Sequence, residues 1–106
     1  MNILGCPVKI SSGKSIYFPV NYLHTYNIDI YVDCMIRQQF ETYFIFIPYC
    51  ERELLPNETV VKLRAGNTYL PEQWLIDNHL IPGKDSLYLV GIDDGFMVSA
   101  TAQISL

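Results

Sequence analysis

The feature that most constrains this chain of 106 residues is that it carries an approximate copy of itself. Val8-Lys9-Ile10-Ser11-Ser12-Gly13-Lys14 lies over Val61-Lys62-Leu63-Arg64-Ala65-Gly66-Asn67 without a gap. One deletion then brings Phe18-Pro19 over Leu70-Pro71, Tyr22-Leu23 over Trp74-Leu75 and Ile28 over Leu80. An insertion, Ile81-Pro82-Gly83-Lys84, precedes the point where Asp29-Ile30-Tyr31-Val32 meets Asp85 and Leu87-Tyr88-Leu89. A unit of this size cannot bury both faces of its own strands, so a second copy must supply the missing layer. The expected organisation is one domain over 1–106, made of a first repeat at 1–47, a linker at 48–57 and a second repeat at 58–106.

Each half reads as strand, strand, helix, hairpin. In the second, Thr59 to Arg64 alternates, with Val61 and Leu63 on one face and Val60, Lys62 and Arg64 on the other, as a half-buried strand does. Ala65-Gly66-Asn67 forms a turn and Thr68 to Leu70 a short strand. Pro71 suits the first position of a helix, because its φ is fixed and its missing N–H is not needed there, and Glu72 puts a negative charge at the positive end of the helix dipole. About two turns of helix follow, with Trp74, Leu75, Ile76 and Leu80 covering one side and Pro82-Gly83 as the stop. Ser86 to Gly91 and Phe96 to Thr101 flank Ile92-Asp93-Asp94-Gly95, and Asp-Gly between two apolar runs signals a hairpin. The first half gives strands at Pro7 to Ser11 and Ser15 to Phe18, a helix from Pro19 to about Tyr26, and strands at Asp29 to Ile36 and Phe40 to Ile47 around Arg37-Gln38-Gln39. Pro48 to Asn57, bracketed by prolines and rich in charge, joins the copies and has room for a single helical turn. The fold class is therefore mainly β with two short helices. The aromatic content of 13% agrees, since aromatic side chains fit a pleated, half-buried surface.

Composition narrows the function classes. With 50% hydrophobic and 17% charged residues the chain can bury a core and is not disordered. No apolar run approaches the roughly 18 residues needed to span a bilayer. Ile3-Leu4-Gly5-Cys6 has the look of a lipobox, but only five residues precede the cysteine, too few for a signal peptide, so a cytoplasmic location is expected. Cys6, Cys34 and Cys50 are odd in number and form no C-x-x-C, which favours reduced thiols over a disulfide framework or a zinc site. The formal net charge of −4 weighs against nucleic acid as a partner.

The stretch from Lys62 to Ala100 combines a strand, Gly66, Tyr69-Leu70-Pro71, a short helix with paired apolar residues, Leu80, Gly83-Lys84 and a closing hairpin. It resembles the AbrB, SpoVT and MazE family of swapped-hairpin β-barrels. Units of that family normally dimerise by interleaving hairpins, so a tandem copy looks like a fused pseudo-dimer, as in the MraZ proteins. The resemblance implies a small barrel built from an internal β-β-α-β-β duplication, and a DNA-binding transcriptional regulator that contacts the duplex through basic residues near the first strands. Carried over by position, these are Lys9, Lys14, Lys62 and Arg64. Where the family places basic residues after the helix-starting proline, this chain has Val20-Asn21 and Glu72-Gln73, which weakens DNA affinity. An exposed strand edge made soluble by charge explains the same lysines.

Enzymatic chemistry finds no footing. His24 and His79 fall at helix ends, Asp93-Asp94-Gly95 belongs to a hairpin turn, and Gly83-Lys84-Asp85-Ser86 lacks the spacing of a phosphate loop. No nucleophile can be paired with a base, and neither a catalytic residue, a metal nor a cofactor is expected. Eight tyrosines exceed what a small core requires, which places some at the surface, where a rigid amphipathic ring favours protein contacts. A second function therefore stands beside DNA binding: an acidic, antitoxin-like or inhibitory module that binds a protein through Tyr22, Tyr26, Tyr49 and Trp74. A barrel closed within the chain predicts a monomer, and hairpin exchange between chains a homodimer.

Overall fold

A computed structural model describes residues 2–25, 27–29, 31–38, 42–49, 51–92 and 95–105. The elements are β1 (Asn2–Leu4), β2 (Cys6–Lys9), β3 (Ser15–Tyr17), α1 (Val20–Thr25), β4 (Tyr31–Gln38), β5 (Tyr43–Pro48), β6 (Glu58–Arg64), β7 (Asn67–Tyr69), α2 (Glu72–Asp77), β8 (Ser86–Ile92), β9 (Gly95–Ser99) and β10 (Gln103–Ser105). Eight strands form one antiparallel sheet in the order β2-β8-β9-β5-β4-β6-β7-β3, and β1 pairs separately with β10. The two edge strands, β2 and β3, are joined by the Ser11–Lys14 turn, across which the Ser11 N–H donates to the Ser15 carbonyl at 2.8 Å. The sheet is thus a nearly closed barrel, mainly β with two short helices. No helix is long and apolar enough to cross a membrane among the described residues.

One property of this order follows from no single strand. Exchanging β2 with β6, β3 with β7, β4 with β8 and β5 with β9 returns the same circuit around the barrel. Register obeys the same exchange: Lys9 lies opposite Ser86, and Lys62, 53 residues on, lies opposite Asp33, 53 residues before Ser86. The Phe18 N–H donates to the Gly66 carbonyl and the Leu70 N–H to the Lys14 carbonyl, each at 2.9 Å, which is one bond written twice. The helices match at a separation of 52 residues, and both end in the same motif. Ile28 and Leu80 donate back to the carbonyls of Leu23 and Leu75, while Asn27 and His79 both stand at φ 55° in the left-handed region.

The core lies inside the barrel. Ile10, Ile16, Phe18, Leu23, Cys34, Phe44, Phe46, Leu63, Leu87 and Val98 are buried there. Phe18 stacks between the hairpins, 4.5 Å from Phe46 and 5.6 Å from Phe96 between ring centroids. A smaller cluster of Met35, Ile45 and Ile47 lies on the other face of the β4-β5 hairpin. A Cβ at Gly95 would collide with the Phe46 carbonyl oxygen, so glycine lets β9 lie close beside β5 there.

Five details differ from the sequence expectation. Arg37 and Gln38 are not a turn but the end of β4, opposite Ile45 and Phe44, because Glu58 on the neighbouring strand holds the Arg37 guanidinium. Pro71 caps α2 from an extended backbone, with ψ 117°, and the helix begins at Glu72. Trp74 and Leu75 are buried but Ile76 is exposed, since three successive helical residues are spread over too wide an arc for all to face the core. The β1-β10 ribbon was not legible at all. Between Pro48 and Glu58 the described residues form bends and a turn rather than a helix.

Candidate nucleic-acid interface

Around the barrel, β6, β7, β3 and β2 are consecutive, and their outward positions are set by strand alternation. They present Lys62 and Arg64 on β6, Asn67 and Tyr69 on β7, Ser15 and Tyr17 on β3, and Pro7 and Lys9 on β2, with all but the half-buried Ser15 exposed. Three of the four basic residues picked from the sequence therefore occupy one wall. Lys62, Arg64, Ser15, Asn67 and Tyr69 line an open groove of about 680 Å³, together with Val61 and Thr68.

The fourth cation is committed. Lys14, in the β2-β3 turn at φ 64°, places its Nζ 2.7 Å from Glu72 Oε1 at the start of α2, and this pairing holds the Glu72 carboxyl below its ordinary range. The acidic residue that stands where the resembled family has a basic one thus neutralises Lys14. Lys62 lies opposite the exposed Asp33 on β4, so one carboxylate also borders the wall on that side.

Of the residues weighed for a protein interface, Trp74 is only 4% exposed and packs edge-on against Phe44, with centroids 5.0 Å apart. Tyr22 is half-buried and stacks on Phe96 at 5.8 Å, and the Cys6 thiol beside its hydroxyl, with burial, pushes its pKa up. These two rings are core components, since each carries its helix onto the other half's hairpin. Tyr49 is exposed next to the end of β5, and Tyr26 lies outside the described residues. Among the described residues, the exposed tyrosines that sequence reasoning did not single out are Tyr17 and Tyr69. A period-2 reading of Ser15-Ile16-Tyr17 and Asn67-Thr68-Tyr69, with Ile16 and Thr68 inward, would have found them.

Among the described residues, an ion-pair cluster that was also missed lies elsewhere. The Glu58 side chain has no solvent exposure. It accepts from Arg37 Nε at 3.1 Å and Nη2 at 3.0 Å, from Arg52 Nη1 and Nη2 at 2.7 Å each, and from the Leu55 N–H at 2.8 Å. The Arg52 guanidinium first, then the Leu55 N–H and Arg37, hold its carboxyl down to about 2 against desolvation. With every carboxylate oxygen engaged, this cluster fastens the end of the 49–57 segment to β4 and β6 and leaves no group to react. Cys34 is fully buried, and burial with Asp33 nearby pushes its thiol up to about 12, so it stays protonated and unreactive. Cys50 and the Asp93-Asp94 pair lie outside the described residues, and His24 and His79 are exposed at the ends of α1 and α2. Among the described residues no three His, Cys, Asp or Glu side chains gather where a metal ion could be held.

No family model, no curated protein and no solved structure matches this chain.

Proposed function

We propose that the chain is a non-enzymatic, cytoplasmic DNA-binding regulator: a swapped-hairpin barrel in which two copies of one β-β-α-β-β unit are fused into a pseudo-dimer. The architectural part is supported by the strand circuit, which is unchanged when the halves are exchanged, and by the two hairpins meeting through β5 and β9. The binding part rests on one observation, the outward placing of Lys62 and Arg64 on β6 and of Lys9 on β2, the two strands that flank β7 and β3 around the barrel. Net charge governs the far field, but phosphate contacts form locally, so a chain of charge −4 can hold nucleic acid on a wall where cations are concentrated. Fluorescence anisotropy with random duplex DNA at about 50 mM salt tests it. Salt-sensitive binding that Lys62→Glu weakens is expected, and absence of binding, or binding indifferent to that change, sinks it. Because β5 and β9 pair within one chain, sedimentation should give a 12.2 kDa monomer.

The alternative, an acidic module that binds a protein partner, is favoured by a different surface: Ile76 and Ile81, exposed at and beyond α2. Recovery of one stoichiometric protein from a cytoplasmic extract, lost in Ile76→Ser, would favour it over DNA binding.

A further inference from the structure

We infer that the wall formed by β3 and β7 takes unpaired nucleotides, with bases stacked on Tyr17 and Tyr69 and phosphates held by Lys9, Lys62 and Arg64. This assignment presupposes the nucleic-acid reading of the same wall and specifies which form of the polymer it accepts. Tyr69 is 75% exposed and Tyr17 51% exposed, so neither ring gains much from burial. Both lie at the β3 end of the sheet order, each within a three-residue strand whose central side chain points inward. Ser15 lies opposite Tyr69 and Asn67 opposite Tyr17, which makes the tyrosines diagonal neighbours, about 7–8 Å apart in ordinary antiparallel geometry. The small Ser15 and Asn67 on the other diagonal leave both rings uncrowded and supply hydrogen-bonding groups.

Tyr17 is also seated. A Cβ on Gly66 would stand 3.3 Å from its Cε2 and 3.4 Å from its Cζ, so the ring lies against bare backbone while half of the residue stays exposed. Gly66 has φ 81°, a left-handed conformation that favours glycine, and the ring uses the space that results. Tyr69 stands in the groove with Lys62 and Arg64, and none of the described residues that line it is a carboxylate. A supported ring that stays exposed, flanked by cations, is what stacking on a base requires. Duplex DNA offers such a ring only base edges in its grooves, because the base faces are occupied by their neighbours. Unpaired bases offer a face each, and sequence need not matter, since every base has one.

The test compares a labelled oligothymidylate of about 12 nucleotides with a duplex of equal length, using the intact chain. Tighter binding of the single strand is expected, with tyrosine fluorescence quenched. Its logarithmic salt slope should be near −2, about 0.7 for each of three cations. Tyr69→Ala and Tyr17→Ala should each weaken it roughly tenfold, while Tyr69→Phe, which keeps the ring, should leave it nearly unchanged. Unaltered thermal unfolding of the alanine variants shows that binding and not folding was lost. If the duplex binds as well as the single strand and both alanine variants are indifferent, the stacking assignment is overturned while DNA binding at the wall stands. Failure to bind either polymer overturns both.

Discussion

The two halves of the barrel are alike where closure demands it and unlike where the chain enters. Each contributes a hairpin, a first strand that pairs with the other half's hairpin, and a helix whose aromatic residue packs on that hairpin: Tyr22 on Phe96, and Trp74 on Phe44. The entrances differ. The second half begins at Glu58, locked by two arginines as the chain arrives from the 49–57 segment. The matched position in the first half is Gly5, where a Cβ would meet the Tyr88 Cβ at 2.6 Å, and the chain arrives there from β1, paired with β10. A barrel fixes the register of its inner strands, because one slipped residue would turn every buried side chain outward. It places no such condition on how each half is entered, and the halves differ there.

The largest expected effect concerns the interior, where the halves should be interdependent. Phe18 touches Phe46 of its own half's hairpin and Phe96 of the other's, while its counterpart Leu70 is smaller. Phe18→Ala should cost about 3–5 kcal/mol and Leu70→Ala less, because fewer buried atoms are removed. Urea unfolding should stay a single transition in both variants, as one shared core requires. Two separated transitions would mean that the halves fold independently and that the comparison between them is superficial.

The entrances come next. Glu58 has a carboxyl held at about 2 in the fold against an ordinary value of 4.5, so its contribution is fully present above that ordinary value and is lost as pH falls toward 2. Glu58→Gln should lower the melting temperature at pH 7, and the gap between variant and native protein should close on acidification through that window. At the other entrance, Gly5→Ala should also destabilise, by forcing the backbone off Tyr88, but with no such pH dependence. Equal pH profiles for the two variants would remove the distinction between the entrances.

Much of this asymmetry was hidden from sequence reading for a physical reason. Alternation of Val61 and Leu63 with Lys62 and Arg64, the paired prolines 19 and 71, and the turn before Gly95 are local signals, and they sufficed for the order of eight strands and two helices. The β1-β10 ribbon joins residues about a hundred positions apart and has no local pattern. Arg37 and Glu58 are 21 residues apart, so neither looks like half of an ion pair until β4 lies beside β6. Lys9, Lys62 and Arg64 could be chosen by position in the repeat, but the groove that Lys62 and Arg64 share with Tyr69, and the place of Tyr17 beside it, depend on β3 pairing with β7, which no motif announces.

The proposed binding wall offers a smaller effect. Lys14 is held by Glu72, whereas the matched turn position in the second half is Gly66, which bears no charge. Glu72→Gln should free the Lys14 ammonium for phosphate and steepen the logarithmic salt slope for nucleic acid by about 0.7–0.9, the contribution of one added contact. An unchanged slope would place Lys14 outside the footprint and confine contact to the three cations of the wall.

The smallest effect separates two residues that do the same conformational task. Asn27 and His79 both stand at φ 55° after their helices, the position at which a left-handed residue lets the next N–H reach back to the helix, as Ile28 does to Leu23 and Leu80 to Leu75. Asparagine tolerates that conformation better than histidine, whose larger side chain offers no comparable local hydrogen bond. Replacement by glycine removes the steric cost but adds backbone freedom to the unfolded chain, and the balance depends on how much strain there was to remove. His79→Gly should therefore stabilise by about 0.5–1 kcal/mol, while Asn27→Gly should be close to neutral. Calorimetry of the two variants decides it: equal shifts would mean that the left-handed turn costs the same in both halves, and that the copies differ at their entrances and binding wall but not at the ends of their helices.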